Sequence, residues 1–284
     1  MHFHPVNSEL YFIFDIVNTM SNVKMFWWNE QQNFGDALNP IIIDKLFKMP
    51  VIWAELKDAN LVGAGSCLQW VAKDSLEHPH EIHVWGTGYM FDQEPPVSNP
   101  LVVHHAVRGK KSQSYGKLEN VALGDPGLLS SLLIDIPNTK SFRVGIVPHL
   151  WNIDDPELIK AKLRYPDVKI IDVRLPALEV VEQIASCEFI YSSSLHGLIV
   201  ADSFGIPNQW VGFKKKLFGG TWKFEDYYSV FNINLPSMAD FESQILEHKY
   251  VNKLINEFQL RDDIKELQQH LINSFPSDLT SKKF

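Results

Sequence analysis

The sequence YSSSLHGLIVADSFGIP, residues 191–207, decides how this chain folds. The residues leading into it, CEFIY at 187–191, form a short apolar, aromatic-rich run that suits a buried parallel strand. Three serines end the run, and an amphipathic segment follows. A helix is expected from there to Gly205, a residue fit for the C′ position, with Pro207 blocking continuation. His196 and Gly197 then lie on the first helical turn, where unpaired backbone N–H groups and the positive end of the helix dipole meet. Hydroxyls, an imidazole and free amides converge on one point suited to an anion. The plainer alternative is that Ser192 or Ser193 only caps a helix beside a surface histidine.

Outward from this stretch, 284 residues are too many for one small core and about right for two domains. Hydrophobic content of 45% with 21% charged residues is globular, and no window of sequence approaches a membrane-spanning run. Cys67 and Cys187 sit in apolar segments of different halves, which offers neither a disulfide framework nor metal spacing and points to a reducing cytoplasm. A net charge of -8 argues against nucleic acid as a partner. The main basic run is Lys214, Lys215 and Lys216. The eight tryptophans could stack on sugar rings, but most are expected in the core or between domains.

Residues 1–23 carry an apolar patch interrupted by Asp15, without a basic region or cleavage site. They are expected to be an N-terminal extension, or else the natural start lies near Met20 or Met25. KMFWW at 24–28 reads as the first strand and residues 29–36 as the loop after it, with Asn39 and Pro40 as N-cap and first residue of a helix. Residues 59–64, 83–85 and 101–108 read as further strands, the first two leaving through Gly63, Gly65 and Ser66 and through Gly86-Thr87-Gly88. At the carboxyl ends of parallel strands such glycines line a ligand crevice. Residues 121–129 give strand, turn and helix start. The polar stretch 136–141 is the expected boundary, dividing residues 24–137 from residues 138–234. In the second half, strands are expected at 142–147, 168–173 and 208–211, a helix at 176–186, and a loop at 214–226 that clasps an anion or is solvated surface. Residues 235–284 read as C-terminal helices, with helical spacing through 238–274.

The spaced elements Asn33-Phe-Gly35-Asp36, Gly63-Ala-Gly65, Gly86-Thr-Gly88, Arg108-Gly109, Gly124-Asp-Pro126, Pro148-His149 and Ser194-Leu-His196-Gly197 resemble, in order, the motifs of the polysaccharide pyruvyl transferase family. The resemblance covers roughly residues 24–228. It implies an α/β fold of two Rossmann-like domains facing a cleft, GT-B-like, with a terminal helix pair packing back across. It also implies a donor, phosphoenolpyruvate, and an acceptor sugar, expected on a lipid-linked oligosaccharide, joined as a cyclic ketal with release of phosphate in exopolysaccharide or capsule biosynthesis. Work at the inner face of the membrane, with peripheral contact, follows from that acceptor.

On this resemblance His196 is the acid or phosphate ligand and Asp36 the base for the attacking hydroxyl or a sugar hydrogen-bond partner. Asn33, Gly35, Gly65, Ser66, Gly88, Arg108, His149, Ser192, Ser193, Ser194, Leu195 and Gly197 are the expected substrate-binding residues. Ser194 stands where many family members have Arg, so either Arg108, Arg143, His149 or the lysine run is expected to supply the missing cation, or the resemblance is to a subgroup with another arrangement. No metal and no cofactor are expected. A nucleotide-sugar GT-B glycosyltransferase and a non-catalytic carbohydrate-binding protein are the alternatives.

Overall fold

The computed structural model describes residues 23–74, 80–92, 99–137, 139–214, 219–231, 233, 235–261 and 263–280. The N-terminal stretch 1–22, Lys215 and Lys216, and Asn138 of the expected boundary lie outside them. In chain order the elements are β1 (Val23–Phe26), α1 (Phe34–Ile42), β2 (Val51–Trp53), β3 (Leu61–Val62), α2 (Leu68–Asp74), β4 (Ile82–Trp85), β5 (Val102–Val107), α3 (Lys110–Gly116), β6 (Ala122–Leu123), β7 (Phe142–Val147), α4 (Pro156–Arg164), β8 (Lys169–Ile170), α5 (Ala177–Ala185), β9 (Cys187–Ser192), α6 (Leu195–Ser203), β10 (Asn208–Gly212), α7 (Trp222–Tyr228), β11 (Ala239–Asp240), α8 (His248–Glu257), α9 (Ile264–Asn273) and α10 (Ser277–Thr280). Short 3-10 turns join several of them.

Two sheets result, and every pairing in both is parallel. The first runs β2-β1-β3-β4-β5-β6 and the second β11-β10-β9-β7-β8. Counted within its own half, each starts from the order 2-1-3-4-5, so each reverses direction of winding between its first and third strands. In open parallel sheets ligands bind outside the carboxyl ends of the strands at that reversal. The mixed α/β architecture is consistent with two Rossmann-like halves. They do not meet across an open gap, because one apolar core runs from Val23, Met25 and Leu38 of the first half to Val147, Val180 and Leu198 of the second. The N–H of Phe34 also donates to the carbonyl of Val173 at 2.9 Å.

Several boundaries differ from the sequence reading. The first helix starts at Phe34 with Asn33 as N-cap, so Gly35 and Asp36 are on its first turn and Asn39 and Pro40 are inside it. Proline inside a helix removes the hydrogen bond to the carbonyl four residues back. Here that carbonyl belongs to Asp36, and the side-chain amide of Asn39 supplies the missing donor at 3.1 Å. The helix therefore survives its proline. The segment after β6 is a 3-10 turn, Pro126–Leu132, capped by Asp125, rather than an α-helix. β2, α2, α3 and α4 had no counterpart in the reading, and residues 238–247 hold β11 and a 3-10 turn instead of helix.

Two further corrections matter for the site. Helix α6 is not amphipathic: every residue from Leu195 to Ser203 is buried, as expected of a helix enclosed on all sides. And residues 222–226 are not loop but the start of α7. At the C-terminus, α8 packs on the second half through Val251. Helix α9 returns to the first half, where the Trp85 indole donates to the Leu271 carbonyl at 2.9 Å and Gln268 donates to the Leu128 carbonyl at 2.7 Å.

Candidate active site

A cavity of about 310 Å³ opens where the two strand reversals face each other. Four strand exits build its lining. Trp28 and Asn33 follow β1, Gly65 and Ser66 follow β3, His149 to Trp151 follow β7, and Ser194 to His196 follow β9. Asp36, Cys67, Trp70, Met90 and Lys223 complete much of the wall. The sequence reading thus has Asn33, Asp36, Gly65, Ser66, His149, Ser194, Leu195 and His196 on the cavity wall.

The remaining expected residues lie behind it. Arg108 is fully buried and does not line the cavity. Its guanidinium donates to Asp226 at 2.9 Å, to the Gly65 carbonyl at 3.0 Å, to Ser66 Oγ at 2.6 Å and to the Tyr89 carbonyl at 2.6 Å. Gly88 covers this group at close range. Ser192 Oγ bonds to the Val147 and Ser194 carbonyls, Ser193 Oγ accepts from the His149 N–H, and Gly197 packs on Ser192 and Val147. These three fix the β9–α6 turn. Arg143 points elsewhere, toward Asn252 and Glu188. Neither Arg108 nor Arg143 supplies the cation that Ser194 leaves missing.

Lys223 supplies one. It sits on the first turn of α7, nearly buried, with its side chain on the cavity wall. Burial, aided by the Arg108 charge and opposed by Asp36, pulls its ammonium down to about 8. The helix carrying it is pinned from both halves. Asp226 accepts from Arg108 and from the N–H and hydroxyl of Ser112, while the Tyr227 hydroxyl donates to Asp202 on α6 at 2.8 Å. A Cβ at Gly109 would overlap the Asp226 backbone. The Arg108-Gly109-x-x-Ser112 element is therefore a socket for Asp226. Sequence reading missed Lys223, although Phe224, Tyr227, Tyr228 and Phe231 at helical spacing after Thr221 carry the signal.

Three titratable groups meet in this enclosure. Burial pushes the His196 imidazole down to about 4, with Asp36 opposing and Lys223 and Arg108 assisting. Burial raises the Asp36 carboxyl, while His196, the Asn33 amide at 2.7 Å and Lys223 hold it back. Each is kept toward its neutral form by desolvation and toward its charged form by its neighbours. His196 Nε2 has no hydrogen-bond partner among the described residues and faces Asp125 Oδ1 at 3.9 Å. Ser194, the N-cap of α6, makes no side-chain cap, so its hydroxyl leaves the first-turn amides of that helix uncovered. Burial raises the Cys67 thiol to about 12, which favours its protonated form. Among the described residues no group of three His, Cys, Asp or Glu side chains could hold a metal. No helix among them is long and apolar enough to cross a membrane.

A helix N-terminus, a buried lysine and a histidine–aspartate pair at facing strand exits make a cavity chemically suited to an anionic ligand. Residues 98–212 match the family model described as polysaccharide pyruvyl transferase, and the family read from the motifs is the one matched. Over those residues the chain is similar to the polysaccharide pyruvyl transferases. It is similar to the uncharacterized protein L143 of Acanthamoeba polyphaga mimivirus, 29% identical over 82% of this chain and 83% of that one. It is also similar to the succinoglycan biosynthesis protein ExoV of Rhizobium meliloti (strain 1021), 29% identical over 65% of this chain and 58% of that one. A solved structure of a functionally uncharacterized Klebsiella pneumoniae protein aligns with 84% of this chain and 99% of its own, at 12% identity and a TM-score of 0.43.

Proposed function

We propose that the protein transfers the pyruvyl unit of phosphoenolpyruvate to two hydroxyls of a sugar in an exopolysaccharide repeat, forming a cyclic ketal and releasing phosphate. The observation that carries this reading is the convergence of Lys223, His196, Asp36 and the α6 N-terminus on one cavity. The donor bears a carboxylate and a phosphate, and both need cations or N–H groups at close range. Lys223 and the first-turn amides of α6 supply them, in place of the arginine absent at Ser194.

The chemistry is redox-neutral. The donor methylene takes a proton and becomes methyl, C2 forms bonds to two sugar oxygens, and its bond to the phosphate oxygen breaks. Of the two protons lost by the hydroxyls, the balance needs one for the methyl and one for the departing phosphate. His196 is the proton donor or phosphate partner once donor binding charges it, and Asp36 takes the hydroxyl proton. No resident metal or cofactor has a step in this scheme. The acceptor is proposed to be lipid-linked and met at the cytoplasmic face of the membrane, the two halves being arranged as in GT-B enzymes.

The likeness to a succinoglycan biosynthesis protein supports an exopolysaccharide repeat of that type as the acceptor. The test is incubation with phosphoenolpyruvate and a non-pyruvylated succinoglycan repeat oligosaccharide, following phosphate release and the glycan mass. Phosphate released in step with a glycan gaining one pyruvate ketal is expected. Turnover of a nucleotide sugar and none of phosphoenolpyruvate would overturn the reading.

A further inference from the structure

Three of the side chains on the cavity wall are tryptophans, and all three remain part-exposed: Trp28 at 37%, Trp70 at 38% and Trp151 at 43%. Of the eight, expected mostly in the core or between domains, Trp85 and Trp210 are buried in the core, while these three stand between the halves. A tryptophan brings a large apolar surface, and leaving several open at one cavity is unfavourable unless a ligand covers them. Trp28 and Trp70 are also held in place. Their ring centroids lie 5.7 Å apart with planes inclined by 30°, which makes one continuous aromatic wall, and Phe26 braces Trp70 edge-on at 6.3 Å. Trp151 comes from the other half, set against His149 at 5.5 Å.

Beside this wall the lining turns polar at Gln31, Asn33 and Asp36. Apolar planes next to amides and a carboxylate match a pyranose ring, whose C–H face is apolar and whose hydroxyl rim is polar. The cationic end of the cavity, at Lys223 and the α6 N-terminus, is then left to the donor. We propose that Trp28 and Trp70 form the acceptor subsite, stacking on a sugar ring of the oligosaccharide and turning its hydroxyls toward Asp36, with Trp151 closing on it from the second half. This rests on the reading of the protein as a phosphoenolpyruvate-dependent pyruvyl transferase.

The experiment combines kinetics with binding. Wild type, Trp28→Ala/Trp70→Ala and Trp28→Phe/Trp70→Phe are compared with phosphoenolpyruvate and the non-pyruvylated succinoglycan repeat oligosaccharide, and thermal unfolding checks that each folds. Loss of the stacked pair should raise the acceptor KM about tenfold or more, the scale of one or two aromatic contacts, with the phosphoenolpyruvate KM unchanged. The Phe variant should recover most of the loss. Titrating the oligosaccharide into donor-free protein should change wild-type tryptophan fluorescence, and in the Ala variant, which keeps Trp151, the change should be smaller with a midpoint about tenfold higher or more. An acceptor KM unaltered in the Ala variant, with wild type active, would overturn the subsite and leave the function standing. Oligosaccharide binding so weakened in the Ala variant, with no turnover of phosphoenolpyruvate by wild type, would uphold the stacking site and sink the donor assignment. Displacement of the oligosaccharide by uridine diphosphate would make the wall a nucleotide site and overturn the proposal.

Discussion

Arg108 and Asp226, 118 positions apart and both without solvent exposure, form a hydrogen-bonded ion pair at 2.9 Å. Asp226 lies one helical turn after Lys223, so the pair sets where the cavity's lysine stands. Removing one partner of a buried pair strands the other charge, typically at about 3–5 kcal/mol. Asp226→Ala is expected to lose stability on that scale in denaturant unfolding. Any surviving activity should show a raised KM for the donor. The double variant Arg108→Ala/Asp226→Ala should cost clearly less than the sum of the two single changes. Additivity would mean that the two residues do not act as a unit.

Lys223 is expected to set the pH limit of donor capture. Its ammonium, pulled down to about 8 by burial, is charged below that pH and neutral above it. Attraction for a dianionic donor is therefore present below about pH 8 and lost above. Because kcat/KM reports groups of the free enzyme, the profile for phosphoenolpyruvate should fall on the alkaline side near that value. Lys223→Arg, which keeps its charge, should move the fall to higher pH. A profile flat to pH 9.5 or so would remove Lys223 from donor binding.

The two-sheet architecture and the residues at its strand exits were legible because each half repeats one physical pattern: a short apolar strand, then glycine, serine or asparagine where the chain leaves the sheet. Ser192 to His196 is the clearest case, and Gly65 and His149 follow the same logic. What was illegible depended on long-range partners. Pro40 reads as a helix start until the Asn39 amide is seen to replace its missing donor. Arg108 reads as a substrate ligand until Asp226 is found beneath it, because the sequence cannot say whether an arginine's partner is a ligand or a carboxylate far along the chain. Lys223 was obscured by the lysine and glycine run before it, which drew the whole segment into a loop.

Gly35 tests the contact between halves. It is on the first turn of α1, and the His196 imidazole from α6 rests directly on it, leaving no room for a Cβ. Gly35→Ala must displace the ring or part the two helices. Overpacking of this kind costs about 1–3 kcal/mol, and turnover should fall with little change in the acceptor KM, since the tryptophan wall is not touched. Wild-type turnover with an unshifted His196 resonance by NMR would show that the ring has freedom the structure does not give it.

His196 is expected to tie stability to catalysis. Its neutral form is favoured in the free protein, with the imidazole lowered from 6.5 to about 4 by burial. The folded state thus binds fewer protons than the unfolded chain between those values. Stability from this group is full above about pH 6.5 and lost as pH falls toward 4. His104 is lowered to a similar value, so only the difference between wild type and variant isolates His196. His196→Asn should flatten part of that acid loss in unfolding measured from pH 7 to 4. A bound phosphate and carboxylate reverse the balance and favour the imidazolium, so protonation should accompany donor binding. His196→Ala is expected to keep the fold and cut turnover by about 10² to 10⁴, the range of a lost acid–base group. His196→Asn keeps a hydrogen-bond donor that cannot titrate and separates the two roles. Near-normal turnover in Asn with loss in Ala would make His196 a phosphate ligand alone. Wild-type turnover in both would leave it only a packing residue against Gly35.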